Sequence, residues 1–240
     1  MKKYKTIFDE KRKLYRIEAL RDFGDVKKGQ LGGFIAKEEN LSHEGDCWVY
    51  KDAMVFDDAY VSENAKIYDQ VKVYNNARVY GEAQIHDTSR INVNANVYGN
   101  AKIFGITSVS ENAKVYGNAH IFTSIISGSA QVFENAVVHY GPWIGEHAQI
   151  KGKAIVCGLA EIFGDAIVAK NGDYLVLHKW WSDQYQYITW TRSNDKYRDG
   201  SFYGTAEEFL DYREKYSMMF ASNYEQIVKY VNEIARKVES

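Results

Sequence analysis

A six-residue period runs through the middle of this chain and restricts what it can fold into more than any other feature. Asn-Ala-Lys-Val-Tyr-Gly recurs in variants such as Asn76-Ala77-Arg78-Val79-Tyr80-Gly81 and Asn112-Ala113-Lys114-Val115-Tyr116-Gly117. Stepping by six from Cys47 to Ile125, and after a one-residue slip from Ala130 to Ala166, gives 21 slots, of which 18 hold Ala, Cys, Ser or Thr. Two residues after each slot stands Val or Ile, from Val49 to Val168, with Ser127 beside the slip as the one failure. Six is no helical period. Residues two apart do share one side of a strand. The small slot and the aliphatic slot therefore both point inward. Between them fall pairs such as Gly99-Asn100, Asp57-Asp58 and Asn75-Asn76, which tolerate a tight bend. The unit is a short strand and a corner. Three units close an 18-residue triangular coil, and 21 units make seven coils. Alanine suits the crowded corners, and Val and Ile fill the centre and favour strands.

The pattern resembles the hexapeptide-repeat family. Val97-Tyr98-Gly99-Asn100-Ala101-Lys102 fits the family's aliphatic first and small fifth positions and departs at the second, where this chain prefers Tyr or Phe. The resemblance covers roughly residues 45–170. It implies a mainly β fold, a left-handed parallel β-helix of about seven 18-residue coils. Function stays open, because enzymes and non-enzymes share the scaffold. Gly32-Gly33-Phe34-Ile35, Asn40-Leu41-Ser42 and Trp48-Val49 also look like uncharacterised β-helix proteins of phages and prophages.

Three regions are expected: an N-terminal hairpin and lead-in over 1–44, the β-helix over 45–171, and a C-terminal α+β unit over 172–240. Residues 4–8 and 14–20 alternate around a charged turn and predict the hairpin. Residues 174–180, 185–192 and 197–203 read as three antiparallel strands. Thr205 with Glu208, and Ser222 with Glu225, have capping-box spacing and start two helices. The apolar stripe of the second, Tyr224, Ile227, Val228, Val231, Ile234, Ala235 and Val238, belongs to a cap on the open β-helix end or to an oligomer contact.

Charge limits the partners. Thirty basic against 32 acidic residues leave a net charge of −2, which argues against long nucleic acid. No apolar run suits a membrane span, and no apolar core follows the basic Met1–Lys5 start, so a cytoplasmic protein, in the host cytoplasm if phage-encoded, is expected. Two cysteines, Cys47 and Cys157, make no disulfide framework, and no metal-ligand spacing occurs.

Side chains next to the aliphatic slot point outward and fall into columns. One carries Tyr50, Tyr68, His86, Phe104, Phe122, His139 and Cys157; a second Phe56, Tyr74, Asn92, Ser110 and Gly128; a third Ser62, Tyr80, Tyr98, Tyr116 and Phe133. Lys66, Lys72, Arg78, Arg90, Lys102 and Lys114 stand on the other side of the slot. Stacked rings with lysine stems stabilise a sheet face unaided. They also suit an interface or a stacked nucleotide. The candidate binding residues are Tyr68, Tyr80, Tyr98, Tyr116, His139, Tyr140 and Trp143, the last three in a stretch with the chain's one proline, and Trp181 and Arg192 beyond the repeat. Family resemblance brings in homo-oligomers, trimers above all with dimers as the alternative, and an acyltransferase alternative with acetyl-CoA as cosubstrate and His120 and His139 as candidate bases on one face with His86. Neither histidine has a visible acidic partner, and Ile144 and Ile150 resume the repeat with no loop to wall a pocket. The expectation is a non-catalytic binding protein without cofactor or metal. Its partner is a protein or a small nucleotide, and counter-defence, by inhibiting a host immune protein or sequestering a nucleotide signal, is one concrete form. A self-assembling structural component is the third class.

Overall fold

The computed structural model describes residues 2–179, 181, 187–216 and 220–237. The hexads wind into a left-handed parallel β-helix of about eight turns. Its three faces begin at Trp48–Val49, Met54–Val55 and Tyr60–Val61, and each stacks seven strands of two or three residues. The face that starts at Met54–Val55 is extended by β1 (Tyr4–Asp9), β2 (Leu14–Ala19) and β3 (Leu31–Ile35) into a ten-stranded sheet. β1 and β2 form the expected hairpin.

The extra turn lies ahead of the repeat. β3 pairs parallel with Met54–Val55, with Phe34 opposite Met54, and Leu41 bridges Val61. The partners there are 20 residues apart instead of 18: Ile35 to Leu41 is still a step of six, and the two extra residues fall between Leu41 and the next inward aliphatic, Val49, at the corner over 42–46. That insertion breaks the six-residue step and hides the turn from a periodicity reading.

The register slip also sits elsewhere than the period suggested. Lys102 pairs with His120, a step of 18, whereas Ser108 pairs with Ile125, a step of 17. The residue is lost at the corner Thr123-Ser124. Ser124, not Ile125, fills the small slot and is buried, and Ile126 takes the aliphatic slot. Ser127 is then an outward residue rather than a failure. With the slip so placed, every inner aliphatic side chain from Val49 to Val168 is fully buried.

Every corner from Gly45 to Gly164 holds a residue with positive φ, and many are not glycine, among them Asp57, Asn75, Asp87 and Glu134. The left-handed conformation turns the chain sharply enough for a two-residue strand to follow at once. At Gly99 it also makes room, since a Cβ there would lie 3.0 Å from the Gly117 nitrogen. The acidic corners have a structural task. The carboxylates of Glu63, Asp87, Glu134 and Glu146 accept from the backbone N–H of Gly81, Gly105, Gly152 and Gly164 one coil on, at 2.7–2.9 Å. Asn76, Asn94 and Asn112 add a side-chain ladder at 3.2 and 3.1 Å. Each coil thus satisfies polar groups of the next.

The first coil is closed from below by Lys3. Its stem is fully buried, and its Nζ donates to the carbonyls of Cys47, Gly45 and Glu44 at 2.9, 3.3 and 3.4 Å. At the other end, four antiparallel strands, Tyr174–His178, Tyr187–Thr191, Lys196–Asp199 and Phe202–Gly204, carry helices α1 (Ala206–Tyr216) and α2 (Ala221–Lys237). Four strands replace the three expected because a turn at Gly200 divides the third. Trp180 and Tyr185 lie outside the described residues. The Thr205–Glu208 capping box is present, at 2.7 and 3.3 Å. Ser222 is not a cap, because α2 already begins at Ala221. The described part of the α2 stripe packs inside this unit, with Tyr224 and Val231 buried against Phe209 and the sheet, and Val238 lies outside the described residues. The unit sits on the last coil: Thr189 Oγ1 accepts from Glu161 N–H at 2.9 Å, and Tyr203 O–H donates to the Phe163 carbonyl at 3.1 Å. Among the described residues no helix is long and apolar enough to cross a membrane.

Candidate functional site

Stacking of identical coils makes outward side chains into ladders with the strand repeat of about 4.8 Å. Tyr80, Tyr98, Tyr116 and Phe133 stack with centroids 4.8, 4.9 and 4.9 Å apart and planes within 3°. Burial in the stack raises the phenol pKa of all three tyrosines. On another face Tyr50, Tyr68, His86 and Phe104 stack at 4.4, 4.3 and 4.8 Å. Desolvation between the rings of Tyr68 and Phe104 lowers the pKa of His86, and its Nε2 has no hydrogen-bond partner. An imidazole held so is neutral near pH 7 and committed to the stack. Both ladders are half-buried strips of stacked rings, and a cavity of about 320 Å³ lies beside Tyr80, between Tyr60, Arg78 and Asn96.

The second column passes from Ser110 to Ser127, not to Gly128, because the shortened coil moves Gly128 onto the corner. Phe56 and Tyr74 stack at 5.1 Å, and Asn92 donates from Nδ2 to the Tyr74 hydroxyl at 3.0 Å.

The three candidate histidines do not form one column. His86 aligns with Phe104, Phe122 and His139, whereas His120 aligns with Lys102 and Val137, two residues earlier on the strand. The offset arises because His120 precedes the inward Ile121 and His139 follows the inward Val138. His86 and His139 are separated by two intervening rings. Neither His120 nor His139 makes a side-chain hydrogen bond to a carboxylate among the described residues. His139 instead meets Tyr140 edge-on at 4.6 Å, and Tyr140 meets Phe122 at 5.7 Å.

Tyr140, His139 and Trp143 belong to a larger exposed apolar corner. Phe122, Ile125, Tyr140, Trp143 and Leu159 gather where the shortened coil brings two faces together, and Ile106 projects from the corner above. Ile106 is 70% exposed and Tyr140 66%. The indole N–H of Trp143 donates to Ser127 Oγ at 2.9 Å, which fixes the ring flat against the face. A cavity of about 230 Å³ runs between Ile125, Trp143, Leu159 and Glu161 and the edge of the C-terminal sheet at Tyr187 and Gly200. The sequence carried a signal for this corner that periodicity did not use. At the equivalent corner position earlier coils have Asp52, Gln70 and Thr88, and later ones have Ile106 and Leu159.

Trp181 and Arg192 are structural. Trp181 packs edge-on against Tyr224 at 5.7 Å in the core of the C-terminal unit. Arg192 donates to the carbonyls of Gly172 and Ala235 at 3.3 and 3.0 Å and lies over Trp190, tying α2 to the sheet. Cys47 fills an interior slot, and burial raises its thiol pKa. Glu146, beside His147, is spent on its corner hydrogen bond. No cluster of three or more His, Cys, Asp or Glu suited to a metal occurs among the described residues.

No family model matches the chain. A stretch of 37 residues, 15% of this chain, is 49% identical to an uncharacterized acetyltransferase of Escherichia coli (strain K12), YdcK, and covers 11% of that protein. Thirty-seven residues amount to about two coils, so the likeness reaches a small part of either molecule.

Proposed function

We propose that this protein is a non-catalytic binding protein whose interaction surface is the apolar corner of Phe122, Ile125, Tyr140, Trp143 and Leu159. The observation that carries the reading is contiguous apolar exposure at one corner of a scaffold whose other corners mostly carry Asp, Asn and Glu. Exposed apolar patches rimmed by polar residues mark contact sites. Aromatic anchors locked by their own scaffold lose little entropy on binding. The occupant such a surface suits is a protein, either a sister copy or another chain. Inhibition of a host immune protein is one form of this function, and titration against purified candidates with no binding in any case would remove it.

Acyl transfer is the second reading, and the acetyltransferase likeness favours it. In that reading His139 or His120 would take the proton of an acceptor hydroxyl or amine as it attacks acetyl-CoA. A base needs orientation, and among the described residues neither imidazole has an acidic hydrogen-bond partner. Mass by light scattering and thermal melting, each with and without acetyl-CoA, separate the two. An oligomer whose melting ignores acetyl-CoA is expected. A rise in melting that disappears in His139→Ala would overturn the binding reading in favour of transfer.

A further inference from the structure

A second concave site lies far from the apolar corner in sequence, under the turn of the N-terminal hairpin. Arg12, at the tip of that hairpin, reaches back over the face that starts at Met54–Val55. It closes a cavity of about 420 Å³ lined by Asp52, Met54, Gln70, Lys72, Thr88 and Arg90. Its placement is over-determined. The guanidinium lies 4.3 Å from the centroid of the buried Phe34 ring, and it pairs with Asp52 at 3.0 Å and Asp9 at 3.7 Å. Arg16 backs the same ring at 5.3 Å.

The other two cations are uncompensated. Lys72 and Arg90 stand on adjacent strands in direct register. Like charges so placed repel across about 4.8 Å. Two other cations of the β-helix faces are neutralised, Lys51 by Asp69 and Lys66 by Asp25. Among the described residues neither Lys72 nor Arg90 enters an ion pair. The one carboxylate lining the cavity, Asp52, is already held by Arg12. Three cations, Arg12, Lys72 and Arg90, against the two carboxylates that pair with Arg12, Asp52 and Asp9, leave the site an excess charge of +1, carried by Lys72 and Arg90, and the Gln70 amide and Thr88 hydroxyl add neutral donors.

We propose that this cavity binds the phosphoryl group of a small phosphorylated molecule. An anionic phosphoryl group meets the two cations that lack a carboxylate partner, Lys72 and Arg90. The Arg90 fork suits two phosphate oxygens, and Lys72 supplies a point charge beside it. Arg12 caps the group from the hairpin side. The cavity holds one small ligand and offers no continuous basic track, which suits a protein of net charge −2 better than a nucleic-acid strand would. The site does not depend on the apolar corner, and either can fail alone.

Isothermal titration of the whole protein at low salt tests it, with pyrophosphate, coenzyme A and a cyclic dinucleotide as separate probes. Pyrophosphate and coenzyme A carry terminal phosphoryl groups, and the cyclic dinucleotide carries diesters alone. Saturable binding of at least one probe is expected. The Lys72→Gln and Arg90→Gln variants should each weaken it about ten- to hundred-fold, as loss of a charged hydrogen bond does. Lys114→Gln, an outward cation on another face, is the control and should leave affinity unchanged. The probe that binds best identifies the source of the phosphoryl group. Absence of saturable binding by all three probes overturns the proposal. So does an equal loss in Lys114→Gln, which would show attraction to overall charge.

Discussion

Replacing Val93 by Asn is expected to stabilise the protein by about 1 kcal/mol, although it removes an apolar side chain. Val93 occupies a corner with φ of 57°. A β-branched residue is poorly suited to that conformation, and the left-handed region costs an L-residue roughly 1–2 kcal/mol. Asn tolerates it far better, as Asn75 does one coil earlier in the same corner column. The side chain of Val93 is 38% exposed, so losing its buried part costs about 1 kcal/mol. Val93 also offers no acceptor to the corner amide below it. In the same column Asp57 accepts from the Asn75 N–H at 3.0 Å, and Glu146 accepts from Gly164 at 2.8 Å. An Asn carbonyl could serve Glu111 in this way, for about 0.5–1.5 kcal/mol. Relief of strain and the new bond together exceed the lost burial by about 1 kcal/mol. Val93→Gly separates the terms: it relieves the strain but adds no bond and costs about 0.5–1 kcal/mol in unfolded-chain entropy, so it should be close to neutral. Urea unfolding followed by far-ultraviolet circular dichroism reads both variants. If Val93→Asn is no more stable than Val93→Gly, the account of these corners as strained turns bridged by side-chain acceptors is wrong.

Two further outcomes follow from buried polar groups. Desolvation holds the pKa of His86 below the ordinary histidine value, so the folded state resists a proton that the unfolded chain accepts. Stability should therefore decline as pH falls through the ordinary histidine range near 6.5. His86→Phe, which keeps a ring between Tyr68 and Phe104, should abolish that part of the decline between about pH 7.5 and pH 5.5 in urea titrations. Lys3→Met keeps the stem but strips three carbonyls of their donor, and should cost about 1–3 kcal/mol in the same unfolding assay; an unchanged midpoint would mean that water serves those carbonyls equally well.

The repeat was legible because a prism has one interior. Each coil must place a small residue and an aliphatic one inward at fixed spacing, and sequence records that spacing directly from Val49 to Val168. The ring ladders were legible for the same reason, since register turns a step of 18 into a neighbour. Features that depart from the period were not. The first turn is hidden by two extra residues between Leu41 and Val49. The lost residue at Thr123-Ser124 shifts by one slot the point where the pattern breaks.

What the sequence by itself determined was the local rule: strand, corner, inward and outward sides, and the column each outward residue joins. Tertiary structure decided what those columns meet. Trp181 and Arg192 are drawn into the packing of the C-terminal unit, and Ile106 and Leu159 come to project beside Tyr140. Above all, Arg12 comes to lie over Asp52, Lys72 and Arg90, residues about 40 to 80 positions away. A repeat encodes contacts at its own period. The contact between a repeat and a flanking hairpin has no period to encode it and depends on how the hairpin folds back.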